Sequence, residues 1–208
     1  MRFISYAQNL EDVILWRALK AVEKGFYIDV GANDPNIDSV TKAFYERGWR
    51  GINVEPLRSH WDDLQRDRPE DTNLQCAAGA ASGELDLWEA DVRGWATSSP
   101  SVIKKHQEDG HNGTWHKVAV RTLTEICKEY APSDIHFLKV DVEGFEQSVI
   151  AGMNFEQYRP WIVVVEATLP NSIVENYQLW EPMLVQHGYS LVEADGLNRC
   201  YLARVHGK

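Results

Sequence analysis

The sequence predicts an α/β fold in which seven strands alternate with helices and the chain closes on an antiparallel pair. Three observations carry that reading. Residues 26–56, FYIDVGANDPNIDSVTKAFYERGWRGINVEP, join two short apolar runs through a segment with apolar residues at helical spacing, the pattern of strand, turn, helix and strand. Residues 135–142 (IHFLKVDV) and 161–166 (WIVVVE) are almost continuously apolar, as expected of parallel strands covered on both faces. Residues 189–193 and 200–205 flank an Asp195-Gly196 pair, the turn signal of a hairpin.

Taken in order, residues 1–24 read as a leader and a helix. Leu10, Val13, Ile14, Ala18 and Ala21 fall on one helical face, Asn9 stands at the N-cap, and Glu11 and Asp12 occupy the first turn, where acidic groups favour the helix dipole. Those acids sit where a signal peptide would need its apolar region, and no run approaches the ~20 apolar residues that span a bilayer. Residues 39–47 form the first crossover helix and 51–54 the second strand. Residues 58–67 make an exposed helix with Trp61 and Leu64 inward, and 73–78 the third strand. Residues 83–90 alternate polar and apolar side chains and form an added strand. From 91 to 115 the periodicity is lost. This long polar excursion, with one short helix over 102–108, is expected to be a lid or acceptor-contact insertion that orders with ligand. An extended run at 118–120 precedes a helix over 122–130, capped by Thr122. The strand at 135–142 leads into a helix with Phe145, Val149 and Ile150 inward, and another helix covers 174–187.

At 208 residues the chain suits one well-buried domain, 1–208, better than two. An apolar fraction of 44% and eight Trp mean a folded globule. The net charge of −10 and pI near 5.1 argue against a nucleic-acid partner, which needs Lys and Arg to neutralise phosphates. A neutral or cationic small molecule is easier to accommodate. Cys76, Cys127 and Cys200 are odd in number and widely spaced, as reduced core thiols of a cytoplasmic protein would be. The oligomeric state is not legible.

The chemistry concentrates at strand ends. Gly31 relieves the turn after the first strand, and Glu55 ends the second, where a carboxylate can accept hydrogen bonds from both hydroxyls of a ribose. Gly31 is followed by Ala32, Asn33, Asp34 and Pro35, not by the second glycine of a GxGxxG fingerprint. An acidic side chain and a proline without an N–H make a poor phosphate cradle. A ribose ligand without phosphates fits better, and S-adenosylmethionine is the common one; the alternative is a plain strand end with a solvated acid. The small residues Cys76, Ala77 and Ala78 leave room for a flat ring, or simply pack tightly. Asp141, Glu143 and Glu166 follow apolar strands and should gather at one sheet edge, raising one another's pKa; the alternative is a polar cap facing solvent. His106, His111 and His116 are spaced unlike common metal ligands, and His106 or His111 is instead a candidate base on the insertion. Asn112-Gly113-Thr114 is a glycosylation sequon, without consequence in the cytoplasm. No GxSxG elbow supports acyl transfer.

Five blocks, YAQNLEDVIL (6–15), FYIDVGANDP (26–35), GWRGINVEP (48–56), FLKVDVEGFE (137–146) and DGLNRCYL (195–202), together resemble the FkbM-type S-adenosylmethionine-dependent methyltransferases. The resemblance implies a class I methyltransferase (Rossmann-like) fold, with helices on both faces of a mostly parallel seven-stranded sheet. It also implies O-methylation of a hydroxyl of a sugar, glycan or natural product. It makes Gln8, Asp29, Gly31, Ala32, Asn33, Ser39, Glu55, Pro56, Cys76, Ala77 and Asp141 the cofactor contacts. Catalysis falls to Asp141, Glu143, Glu166 and His106, with Asp141 toward the methionine end of the donor, and a divalent metal is compatible with the acidic cluster. Two other classes stay open: an NAD-linked oxidoreductase of Rossmann type, and a non-catalytic S-adenosylmethionine-binding module.

Overall fold

In the computed structural model, which describes residues 3–170 and 172–204, the apolar runs become a seven-stranded sheet. The leader enters α1 (Glu11–Leu19), and β1 (Phe26–Val30), α2 (Lys42–Tyr45), β2 (Arg50–Val54), α3 (Arg58–Asp67) and β3 (Thr72–Leu74) follow. The chain then leaves this sheet for β4 (Ala77–Ala78), β5 (Gly83–Ala90), β6 (Ala96–Thr97), α4 (Pro100–Glu108) and β7 (Gly113–Arg121). It returns through α5 (Leu123–Tyr130), β8 (Phe137–Val140), α6 (Glu146–Ala151) and β9 (Ile162–Glu166), and ends with α7 (Glu181–Gln186), β10 (Tyr189–Ala194) and β11 (Asn198–Ala203).

The main sheet has the order β10-β11-β9-β8-β1-β2-β3. β11 runs antiparallel to both of its neighbours, while β9-β8-β1-β2-β3 pair in parallel. Strand alternation divides the core between the two faces. Ile28, Val30, Ile52, Val54, Leu138, Val140, Val163 and Val165 point to one side, where α5, α6 and α7 supply Leu123, Ile126, Val149, Ile150 and Leu184. Tyr27, Phe137, Ile162 and Val164 point to the other, against Leu15 and Leu19 of α1 and Phe44 of α2. Each such side chain, removed from water, stabilises the fold by ~1.5–3 kcal/mol.

Several sequence expectations are corrected. α1 turns Leu15 and Leu19 inward and leaves Leu10 and Ala18 exposed, because its first turn is claimed by polar partners. Asp12 accepts hydrogen bonds from the Tyr6 and Ala7 N–H groups and the Ser5 hydroxyl, and Glu11 accepts from Asn9 N–H and the Asn198 amide. Asn9 is therefore not the cap; Leu10 holds that position, with φ of 65° and no side-chain bond. The helix expected over 39–47 shrinks to α2, as the Thr41 hydroxyl turns to Asp29 (2.9 Å). The strand expected over 73–78 splits between two sheets. The helix expected over 174–187 breaks into a 3-10 turn at Tyr177–Leu179 and α7, since Pro182 lacks the N–H that a longer helix would need. Val205, the expected end of the last strand, lies outside the described residues, as do Met1 and Arg2 of the leader.

The excursion over 91–115 is not structureless. α4 begins at Pro100, and the extended run at 118–120 is the end of the longer β7, so this stretch completes a second, four-stranded sheet of order β4-β7-β5-β6. No helix among the described residues is long and apolar enough to cross a membrane.

Candidate active site

The turn after β1 brings two backbone segments closer than a side chain would allow. Gly31 has φ of +77°, and a Cβ built there would lie 1.8 Å from the Asp141 carbonyl oxygen, so glycine is required for both conformation and space. The Gly31 and Ala32 N–H groups donate to the Val54 carbonyl (3.0 and 3.3 Å), which ties the end of β1 to that of β2. Just beyond, Glu55 is 4% exposed. Its two oxygens accept from Asn33 N–H (3.0 Å) and Leu57 N–H (2.9 Å), with His60 Nδ1 at 3.6 Å. A carboxylate has about four acceptor positions, so Glu55 retains capacity for ligand hydroxyls.

These strand ends floor a cavity of about 350 Å³, within the ~300–1,000 Å³ range of small-molecule sites. Leu85 and Leu87 of the second sheet and the turn Arg93-Gly94-Trp95-Ala96 contribute to its walls. Arg93 fastens that turn to the β1 loop and α3: it donates to the Asn33 carbonyl (3.0 Å) and side chain (3.1 Å), and pairs with Asp34 (3.3 Å) and Asp63 (2.8 Å). Asn33, Asp38 and Glu143 adopt φ of 46°, 52° and 53°, and all three line the cavity. Non-glycine backbone held in that region costs on the order of 1 kcal/mol or more and clusters at functional sites.

β8 and β9 deliver the acids. Asp141, Glu143 and Glu166 line the same cavity. Glu143 stands in a tight loop whose shape Glu146 maintains, accepting from the Val142 and Gly144 N–H groups (3.3 and 3.0 Å), while the Thr97 hydroxyl donates to the Glu143 carbonyl (2.8 Å). One oxygen each of Glu143 and Glu166 is buried without a hydrogen-bond partner. Burial, helped by the negative charges of Asp141 and Glu146, raises Glu143 to about 8. Burial and the charges of Asp141 and Glu143 push Glu166 well above the carboxylate range. Against these acids stands Lys139, 8% exposed, which the register places directly opposite Asp29. Its ammonium lies 3.3 Å from Asp141, 3.5 Å from Asp29 and 3.3 Å from the Gly31 carbonyl. Burial alone would lower its pKa; Asp141 and Asp29 outweigh that and hold it above the ordinary lysine value.

The family model described as Methyltransferase FkbM domain matches residues 29–191. The chain belongs to the FkbM methyltransferase family. No curated protein sequence matches the chain. Among solved structures, the CurJ carbon methyltransferase superposes with a TM-score of 0.50 at 10% identity, covering 94% of this chain and 54% of that one. A TehB-like SAM-dependent methyltransferase from Corynebacterium glutamicum gives 0.49 at 8% identity, covering 93% and 88%. A SAM-dependent methyltransferase from Geobacter sulfurreducens in complex with S-adenosyl-L-homocysteine gives 0.42 at 13% identity, covering 93% and 68%. At such identities the likeness concerns the fold, which is that of the class I methyltransferases. The enzyme class is thus a methyltransferase, not the NAD-linked oxidoreductase.

Of the residues expected to contact a cofactor, Gln8, Gly31, Ala32, Asn33, Glu55, Pro56, Cys76, Ala77 and Asp141 line the cavity. Their chemistry fits S-adenosylmethionine: acceptor capacity at Glu55, a backbone turn without a Cβ at Gly31, small walls at Cys76 and Ala77, and an anionic group at Asp141. Asp29 and Ser39 are placed elsewhere. Asp29 is buried beneath the cavity, holding Thr41 and Lys139; the Ser39 hydroxyl accepts from the buried Arg68 (3.1 Å). His106 is also corrected. It is 2% exposed and stacked on Trp95 and Trp88 with ring centroids 4.9 and 5.9 Å away, a position outside the cavity lining. His111 pairs with Asp91 (2.9 Å). A divalent metal does not fit: among the described residues no three His, Cys, Asp or Glu side chains are arranged to hold one, and Lys139 fills the cation position between Asp29 and Asp141.

Sequence reasoning passed over Lys139, Arg93 and Thr168, of which Lys139 touches Asp141 and the Gly31 carbonyl and Thr168 lines the cavity. Lys139 carried a signal, being a lone cation inside the apolar run IHFLKV, where an unpaired charge would be costly. Arg93 and Thr168 carried none.

Proposed function

We propose that the chain is an S-adenosylmethionine-dependent O-methyltransferase whose acceptor is a hydroxyl of a sugar, glycan or natural product. The observation that supports O-direction is Glu143, a buried carboxyl on the cavity with an unpartnered oxygen and a pKa of about 8. A hydroxyl is a poor nucleophile until a base takes its proton, and a base works best when its pKa lies near the working pH. When bound, S-adenosylmethionine supplies a methyl group already activated by the sulfonium. The protein therefore has to hold the acceptor in line, receive its proton and keep water away. Glu55 binds the ribose hydroxyls, Asp141 faces the methionine ammonium, and Glu143 takes the proton of the acceptor hydroxyl as the oxygen attacks. Glu166 remains protonated at neutral pH and donates a hydrogen bond to the acceptor; two carboxyls driven to different pKa values divide the base and donor roles. Leu85, Leu87 and Trp95 line the cavity and give it an apolar wall against which an acceptor can pack.

The acidic lining and the net charge of −10 favour a neutral or cationic acceptor. The free, buried Cys76, Cys127 and Cys200 agree with a reducing, cytoplasmic setting, and the segment over 91–115 serves as the acceptor-side wall. The deciding experiment is a methyl-transfer screen over nucleotide sugars and glycans with wild type and Glu143→Gln. Product with wild type and none with the variant supports the reading. Binding of S-adenosylhomocysteine without product from any acceptor would leave the chain a binding module, and full turnover in Glu143→Gln would remove the base.

A further inference from the structure

Among the acids that line the cavity stands the buried ammonium of Lys139, which lines it too and which none of the steps above uses. Lys139 reaches Asp29 on β1, the carbonyl of Gly31 in the turn, and Asp141 just past its own strand, all within 3.5 Å. Asp29 is in turn fixed by the Thr41 hydroxyl (2.9 Å). The Gly31 turn and the Asp141 backbone are already in close approach, and Asp141 N–H donates to the Val30 carbonyl (3.0 Å). One side chain therefore joins the two loops that meet at the cavity floor.

We propose that Lys139 is a positioning residue for methyl transfer, holding the Gly31 turn and the Asp141 carboxylate in their working arrangement and supplying the positive charge against which Glu143 ionises. The proposal rests on the reading of Glu143 as the base. The charged groups facing this ammonium are Asp29 from β1, Asp141 and Glu143 from the loop after β8, Glu166 from β9 and Glu11 from α1. All five are acids, and Asp141, Glu143 and Glu166 line the cavity. The Lys139 charge favours the ionised form of Glu143, while Asp141 and Glu146 oppose it. Without it, the two anions act on Glu143 uncompensated, and the base stays protonated to a higher pH. Lys139 also completes the hydrogen bonding of a carbonyl at the turn, so its loss should loosen the donor site as well.

The test compares wild type, Lys139→Met and Lys139→Arg. Two readouts are taken: S-adenosylhomocysteine affinity by calorimetry, and the pH dependence of kcat/KM on a confirmed acceptor. Lys139→Met should bind S-adenosylhomocysteine at least about tenfold more weakly, and the limb at which activity rises with pH should move about one pH unit or more to the alkaline side. Lys139→Arg should return the limb to its wild-type position, because it restores the charge. If Lys139→Met does not fold, Lys139→Gln, which is polar but carries no charge, should show the same alkaline shift of the limb. A folded neutral variant with wild-type limb and affinity would overturn the proposal. A wild-type profile with no limb near pH 8 that Glu143→Gln removes would instead overturn the assignment of the base, and the two failures are separable.

Discussion

Replacing Glu143 by Gln should cost activity and add stability, a pairing that a merely structural carboxyl would not produce. In the folded chain Glu143 gives up its proton only at about 8, against an ordinary value of 4.5. The unfolded chain therefore ionises first as pH rises. The stability that a protonated Glu143 carries is fully present below about pH 4.5, declines through the interval, and is gone above about pH 8. At 1.36 kcal/mol per pH unit the interval from 4.5 to 8 sets a ceiling of about 5 kcal/mol. Water entering the open cavity reduces this to about 1–2 kcal/mol. Gln cannot ionise, so Glu143→Gln should exceed wild type by that amount at pH 8.5 and match it near pH 4, below the ordinary carboxyl value of 4.5. For a chain of this length the gain is a rise of roughly 2–8 °C in Tm. Turnover should meanwhile fall by about 10²–10⁴, the contribution of a positioned base. Thermal melts at the two pH values, with methyl transfer from labelled donor, measure both. A variant no more stable at pH 8.5 than wild type, or one that keeps its turnover, would refute the reasoning.

Glu55→Ala should weaken S-adenosylhomocysteine binding by about 1.5–3 kcal/mol, the worth of hydrogen bonds to a charged group, and calorimetry showing unchanged affinity in a folded variant would deny it a cofactor role. Gly31→Ala places a Cβ 1.8 Å from the Asp141 carbonyl at φ of +77°; conformational strain and overpacking together predict a loss of about 2–5 kcal/mol in urea denaturation, and a loss under about 1 kcal/mol would show that the loops yield. His106→Phe, which keeps the stack on Trp95 and Trp88, should retain wild-type turnover, and a pH-dependent loss of kcat would restore the histidine as a candidate base.

How much of this was written in the sequence depends on how local each cause is. The alternation of strands and helices was legible because burial on both faces leaves unbroken apolar runs, as in WIVVVE, and because Gly31 and the Asp195-Gly196 turn are marked by residue type. The gathering of Asp141, Glu143 and Glu166 at one cavity could be anticipated for a related reason: each directly follows an apolar strand, and parallel strands end on the same side. Where side chains chose distant partners, local pattern misled. The inward face of α1 was misread because Glu11 meets Asn198, 187 residues away. His106 was assigned to the site although two tryptophans hold it elsewhere, and the stretch over 91–115 hid a second sheet because its strands pair with β5 and not with one another.

The sequence by itself determined the class of fold, the family and the residue types at the strand ends, since these follow from periodicity and from short motifs whose geometry is local. Only the tertiary structure decided which acids share a cavity, that Glu143 and Glu166 are raised while Lys139 stays charged, and that Arg93 fastens the second sheet over the turn. Proton affinity depends on burial and on charges brought within a few ångströms, and those neighbours come from β1, β8, β9 and α6, segments that meet only when the sheet is assembled.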